Sequence, residues 1–116
     1  MNIDQFKKEK GEQSWFYSPD GELEIIIKGD DSQPDIRSFE LAEKLMPILK
    51  DCESKAVHLL ESFMKDEGEW ELCTISFIDV EMHKDCVFTL DFGFVSNENR
   101  HEYNYTGFLV CFTWPL

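Results

Sequence analysis

A chain of 116 residues, 42% hydrophobic and 14% aromatic, is long enough to bury roughly two thirds of its unfolded surface in one domain and too short for two. Twenty-four acidic residues against eleven Lys and Arg leave a net charge of −13, which excludes a phosphate-backbone binder, because counterion release needs a basic surface. No apolar run approaches the roughly 18 residues of a membrane span, and residues 1–12 lack the apolar stretch of a secretion signal, so neither nucleic acid nor membrane is an expected partner and a cytoplasmic location is.

In chain order, residues 1–12 read as a short N-terminal helix or arm, with Asn2 as its cap, Ile3 and Phe6 on one side and Gly11 as its stop. Ser14-Trp15-Phe16-Tyr17 and residues 21–28, separated by Ser18-Pro19-Asp20-Gly21, predict a β-hairpin rich in aromatic and β-branched residues.

A helical stretch follows. Ser32 with Asp35 three residues on has the form of a capping box, Pro34 suits a first turn, and Lys65 precedes a stop at Gly68. At about 100° per residue, Phe39, Leu41, Ala42, Leu45, Met46, Ile48, Leu49, Cys52, Ala56, Leu59, Leu60, Phe63 and Met64 share one half of the wheel. Glu40, Glu43, Lys44, Lys50, Asp51, Lys55, His58, Glu61 and Lys65 share the other, where Glu40/Lys44, Asp51/Lys55 and Glu61/Lys65 are i,i+4 pairs, and Glu53 alone sits on the apolar side. Pro47 falls on the polar side. A straight helix over 35–66 would be about 47 Å long, too long for a domain with a radius of gyration near 13 Å. One helix bent at Pro47, or two helices in phase, is therefore expected.

The remainder alternates with period two over 70–79, 86–95 and 105–114 and predicts three long strands. Each has one strongly apolar face and one mixed face. The fold class is thus α+β, a single domain over 1–116 in the order ββαβββ, with an antiparallel sheet covered on one face by the helix.

Candidate chemistry is sparse. His58 lies on the charged helix face and His101 in a polar loop; His83 and Cys86 have the spacing of half a zinc site with nothing to complete it. Cys52, Cys73, Cys86 and Cys111 are scattered singly in apolar segments, which suits reduced structural cysteines better than a disulfide framework or a low-pKa nucleophile. The sequence holds no recognisable catalytic, phosphate-binding or dinucleotide motif, so no enzymatic activity, cofactor or metal is expected.

The acids are the remaining feature. If the last three strands form antiparallel hairpins, Asp30, Asp31, Asp35, Asp79, Glu81 and Asp85 gather at the end of the molecule where the helix begins. Asp66, Glu67, Glu69, Glu98 and Glu102 gather about 30 Å away at the other end. Some of these acids suit the helix dipole and solvate turns. The total still exceeds the roughly 2 to 8 charges that solubility asks for and is easiest to explain by a cationic partner whose association it steers. Asp91, with Thr74, Thr89 and Tyr105, marks an alternative site on the mixed sheet face, for a small ligand, a metal or self-association.

The aromatic hairpin "SWFY…GELEIIIKG", the capped amphipathic helix and the strand opening "GEWELCTISF", in a small acidic α+β chain, resemble bacterial immunity proteins of polymorphic-toxin and contact-dependent growth-inhibition systems. The resemblance implies a non-enzymatic inhibitor that binds a cognate toxin domain, often a basic nuclease; apart from it, a monomer or homodimer is expected. It carries no residue roles across.

Overall fold

Phe6 decides the path of the N-terminal segment. In the computed structural model, which describes residues 1–8, 11–64, 67–78, 85–97 and 106–113, the expected first helix is a single 3-10 turn, Ile3–Gln5. The Asn2 backbone N–H donates to Gln5 Oε1 at 2.8 Å. The chain then extends, and Phe6 is 4% exposed, edge-on to Tyr17 and Phe39 at centroid distances of 5.5 and 5.8 Å. Burying that ring outweighs continuing a short helix, which is marginal in isolation. Residues after it form an unforeseen edge strand, β1 (Lys7–Lys8), on β2 (Ser14–Tyr17).

The predicted hairpin is present: β2 pairs antiparallel with β3 (Glu24–Lys28). Gly21 takes φ 83° in the connection, where Asp20 Oδ1 accepts from the backbone N–H groups of Glu22 and Leu23 at 2.9 and 2.8 Å. The helical stretch starts later than expected. Asp35, not Ser32, is the N-cap of α1 (Ile36–Leu45), its carboxylate accepting from Ser38 N–H at 3.2 Å, and Pro34 precedes the helix.

The break at Pro47 is where the sequence placed it. α1 passes into one 3-10 turn, Met46–Ile48, and then into α2 (Leu49–Phe63). Ala42 and Leu45 on α1 and Cys52 and Ala56 on α2 are buried, as the wheel predicts, and Ser38 is buried with them. The same stripe leaves the core toward its end: Leu59 is 49% and Phe63 78% exposed. Phe63 is spaced 7 residues from Ala56, on the same side of the helix, so its exposure reflects position along α2 and not the wrong face. The described i,i+4 pairs, Glu40/Lys44 and Asp51/Lys55, do not close; the ion pair present among the described residues is Lys8–Asp31 at 3.5 Å.

The chain then enters β4 (Gly68–Ser76), β5 (Phe88–Ser96) and β6 (Thr106–Phe112). All six strands form one sheet in chain order. The sheet is mixed, not antiparallel throughout: β3 and β4 are parallel, with Ile25 opposite Ile75. A parallel pair needs a long crossover, and α1 and α2 are that crossover. β4 also shifts register between Leu72 and Thr74. Trp70 and Leu72 face Phe94 and Phe92, whereas Ile75 faces Leu90, so even positions before Cys73 and odd positions after it share the core face. The apolar pattern of 70–77 changes phase at that point, and a β-bulge is the backbone's way of absorbing one extra residue.

The core lies between this face and the helices: Ile25, Ile27, Leu45, Ile75, Phe88, Leu90 and Phe92 are fully buried. Aromatic contacts run along it, with Trp70 at 4.6 Å from Phe94 and 5.3 Å from Phe108, and Phe88 stacked on Phe112 at 4.9 Å. The cysteine reading needs correction for one pair. Cys86 and Cys111 form a disulfide, their Cα atoms 5.7 Å apart. The β5–β6 hairpin brings together residues 25 apart in sequence, a proximity that periodicity does not reveal. Cys86 is therefore not half of a zinc site, and the cysteines no longer argue for a reducing compartment. Cys52 is buried, and burial pushes its thiol up, as expected of a structural cysteine.

Closing a loop of this length removes about 3 kcal/mol of unfolded-state entropy in the chain-entropy model. Reduction, or the paired variant Cys86→Ser/Cys111→Ser, is expected to lower the melting temperature by about 10 °C in calorimetry; an unchanged transition would refute the bond's contribution.

Candidate functional site

Glycine sets the shape of the loop between β3 and α1. A Cβ at Gly29 would run into the Trp15 ring and approach Gln33 O to 2.8 Å, so only glycine lets the loop fold against that ring. Trp15 Nε1–H donates to Asp30 O at 3.0 Å. The loop closes through Asp30 N–H to Gln33 O at 3.0 Å and Asp35 N–H to Lys28 O at 2.8 Å. Asp30 Oδ1 accepts from the backbone N–H groups of Ser32 and Gln33 at 2.8 and 2.9 Å, and those two bonds hold its carboxyl below the usual carboxylate range.

Three of the six residues in the favoured acidic patch thus have local work. Asp30 folds the loop, Asp35 caps α1, and Asp31, with a side chain 86% exposed, pairs with Lys8. Asp85 is exposed and lies beside the start of β5, at the end of the sheet where β3 and β4 finish. Asp79 and Glu81 lie outside the described residues. Of the second patch, Glu67 and Glu69 are exposed at the start of β4, while Asp66, Glu98 and Glu102 lie outside the described residues.

The loop forms one side of a cleft of about 850 Å³ lined by Ile3, Asp4, Trp15, Lys28, Asp30 and Asp35, among others. Asp4 and Trp15 were not singled out in the sequence. Asp4 reaches the cleft because residues after it extend to join the sheet, a consequence of Phe6 burial that the apparent N-terminal helix conceals. Ile36, next to the cap, also lines the cleft and is 63% exposed. The arrangement offers anionic groups beside apolar surface, with Lys28 as the cation among them, and suits an amine or guanidinium carried on an apolar stem.

On the sheet face turned away from the helices, Thr74 pairs directly with Asp91. Thr89, two pairs further along, is 7% exposed between Ser76 and Cys111. Three of the four residues of the alternative site are thus neighbours, and Tyr105 lies outside the described residues. Burial pushes the Asp91 carboxyl up. Among the described residues no group of three or more His, Cys, Asp or Glu side chains is arranged to hold a metal, and no helix is long and apolar enough to cross a membrane.

The chain matches no protein-family model, no curated protein and no solved structure.

Removing the α1 cap by Asp35→Ala is expected to cost about 1 kcal/mol in denaturant unfolding. Asp30 and Asp91 have opposite pH signatures. The stability from Asp30 is present above the ordinary carboxylate pKa and is lost as pH falls through its lowered native value; Asp30→Ala therefore destabilises at neutral pH, and less in acid. The burial penalty on Asp91 is full above its raised native pKa, so Asp91→Asn stabilises at neutral pH and the gain disappears below about pH 4. Unfolding curves of both variants from acid to neutral pH check the two signs.

Proposed function

We propose that this protein is a non-enzymatic inhibitory binding protein, an immunity protein that neutralises a cationic toxin domain, a basic nuclease being the best fit. The observation that carries the reading is the cleft between the N-terminal segment and the β3–α1 loop, where carboxylates from Asp4, Asp30 and Asp35 meet exposed Ile36 in a chain of net charge −13. Carboxylates at such a site stand in for the phosphates of a nuclease substrate, and an arginine or lysine of the toxin enters with its stem against Ile36 and Pro34. Asp30 stays ionised because backbone N–H groups stabilise its anion. Asp31, exposed beside the cleft, adds to the field that steers the encounter, the main contribution of rim charge.

The test uses acids that accept no hydrogen bond from the loop backbone; Asp31 gives up only its ion pair with Lys8, and its side chain is 86% exposed. Asp4→Lys with Asp31→Lys is expected to weaken binding to a cationic toxin domain captured by the wild-type chain about tenfold or more, chiefly through slower association, with the melting temperature retained. Raising the salt should weaken the wild-type complex in the same direction. Undiminished affinity of the double variant, or a complex indifferent to salt, would overturn the reading.

A further inference from the structure

The two edges of the sheet are opposites. β1 is 2 residues long, both lysine, with Lys8 paired to Asp31; short charged edges are how proteins discourage a further strand. β6 is 7 residues long, and residues 103–116 contain no charged side chain in a chain that is 30% charged. Among the described residues no strand lies on its outer side. Phe112 O accepts from Val87 N–H at 2.8 Å, so Phe112 turns its backbone groups inward to β5. Alternation then turns the N–H and C=O groups of Gly107, Leu109 and Cys111 outward. Leu109 is the middle member of that set, and its side chain is 69% exposed on the face away from the helices.

We propose that β6 is a dimerisation edge, on which a second copy of this chain pairs β6 with β6 antiparallel about a two-fold axis at Leu109. In that register Leu109 opposes Leu109 of the partner subunit, and Gly107 and Cys111 oppose Cys111 and Gly107 of the partner subunit. Every outward group of the three residues is satisfied, and the exposed Leu109 side chain meets its own copy. Charge selects the occupant. A cationic protein is drawn to the carboxylates and gains nothing from an uncharged strand, whereas a second copy of net charge −13 is repelled from the acidic surfaces and meets this edge with no charge opposite charge. The Cys86–Cys111 disulfide ties the end of β6 to the segment preceding β5, which holds the edge in place as a template.

Sedimentation equilibrium and light scattering on the purified chain test this. The expected result is a dimer that tightens as salt rises from about 50 to 500 mM, because screening relieves repulsion between the two acidic bodies. Leu109→Pro removes an N–H that meets no strand among the described residues and is expected to weaken dimerisation about tenfold or more. Leu109→Lys, which sets two like charges at the axis, should do the same, with circular dichroism and melting near wild type for both. A monomer at about 100 µM in high salt, or a dimer indifferent to both variants, would overturn the proposal. So would a monomeric chain whose toxin complex is broken by Leu109→Pro, since that assigns the edge to a different protein. The opposite salt dependence separates this dimer from the toxin complex, so either can fail without the other.

Discussion

The parallel pairing of β3 with β4 is the constraint from which the rest of the architecture follows. Two antiparallel units, β1–β2–β3 and β4–β5–β6, join through parallel neighbours, so the chain must return from the end of β3 to the start of β4 by a crossover. α1 and α2 provide it, and their buried stripe covers the sheet face from which Ile25, Ile27, Ile75, Leu90 and Phe92 project. The 3-10 turn at Met46–Ile48 divides that crossover into two helices. The bulge at Cys73 is tied to the same pairing: without it, Ile75 and Phe77 would lie on the opposite face from Trp70 and Leu72, and either the pairing with β3 or the aromatic packing on β5 would be lost.

The crossover also explains why the acids have two kinds of work. Leaving β3 for α1 demands a tight loop over Trp15, and a tight loop leaves backbone N–H groups unpaired. Asp30 and Asp35 satisfy several of them, as short acidic side chains do at turns and N-caps. These carboxylates are therefore structural first, whatever else they meet. Asp4 and Asp31 carry no such load in the loop, so the partner-binding reading rests most cleanly on them and on the surplus of charge over what the turns require.

Strand edges and cysteines carry a related lesson about what surrounds the core. One edge is a lysine pair and the other an uncharged strand held by aromatic contacts and a disulfide. The stacking of Phe112 on Phe88 and the packing of Phe108 on Trp70 bury one face of β6, and among the described residues no strand covers its outer backbone edge.

The amphipathic helical stretch, its break at Pro47, the hairpin and the three later strands were legible in the sequence, because each rests on a local period or a local stop: 3.6 residues for α1 and α2, two for the strands, proline and glycine between them. Thr89 and Asp91 were legible as residues of one face, since alternation along one strand puts them there, whereas Thr74 joins that face only through the bulge at Cys73. The direction of β4 against β3, the extended path at Phe6, the cap at Asp35 in place of Ser32 and the Cys86–Cys111 bond were decided by the tertiary structure. Each is a contact between segments far apart in the chain, or a competition that such a contact settles: a buried ring against a short helix, a loop folded over Trp15 against an earlier helix start, two cysteines made neighbours by a hairpin. Local periodicity records which face of an element is apolar, but not which distant element that face will meet.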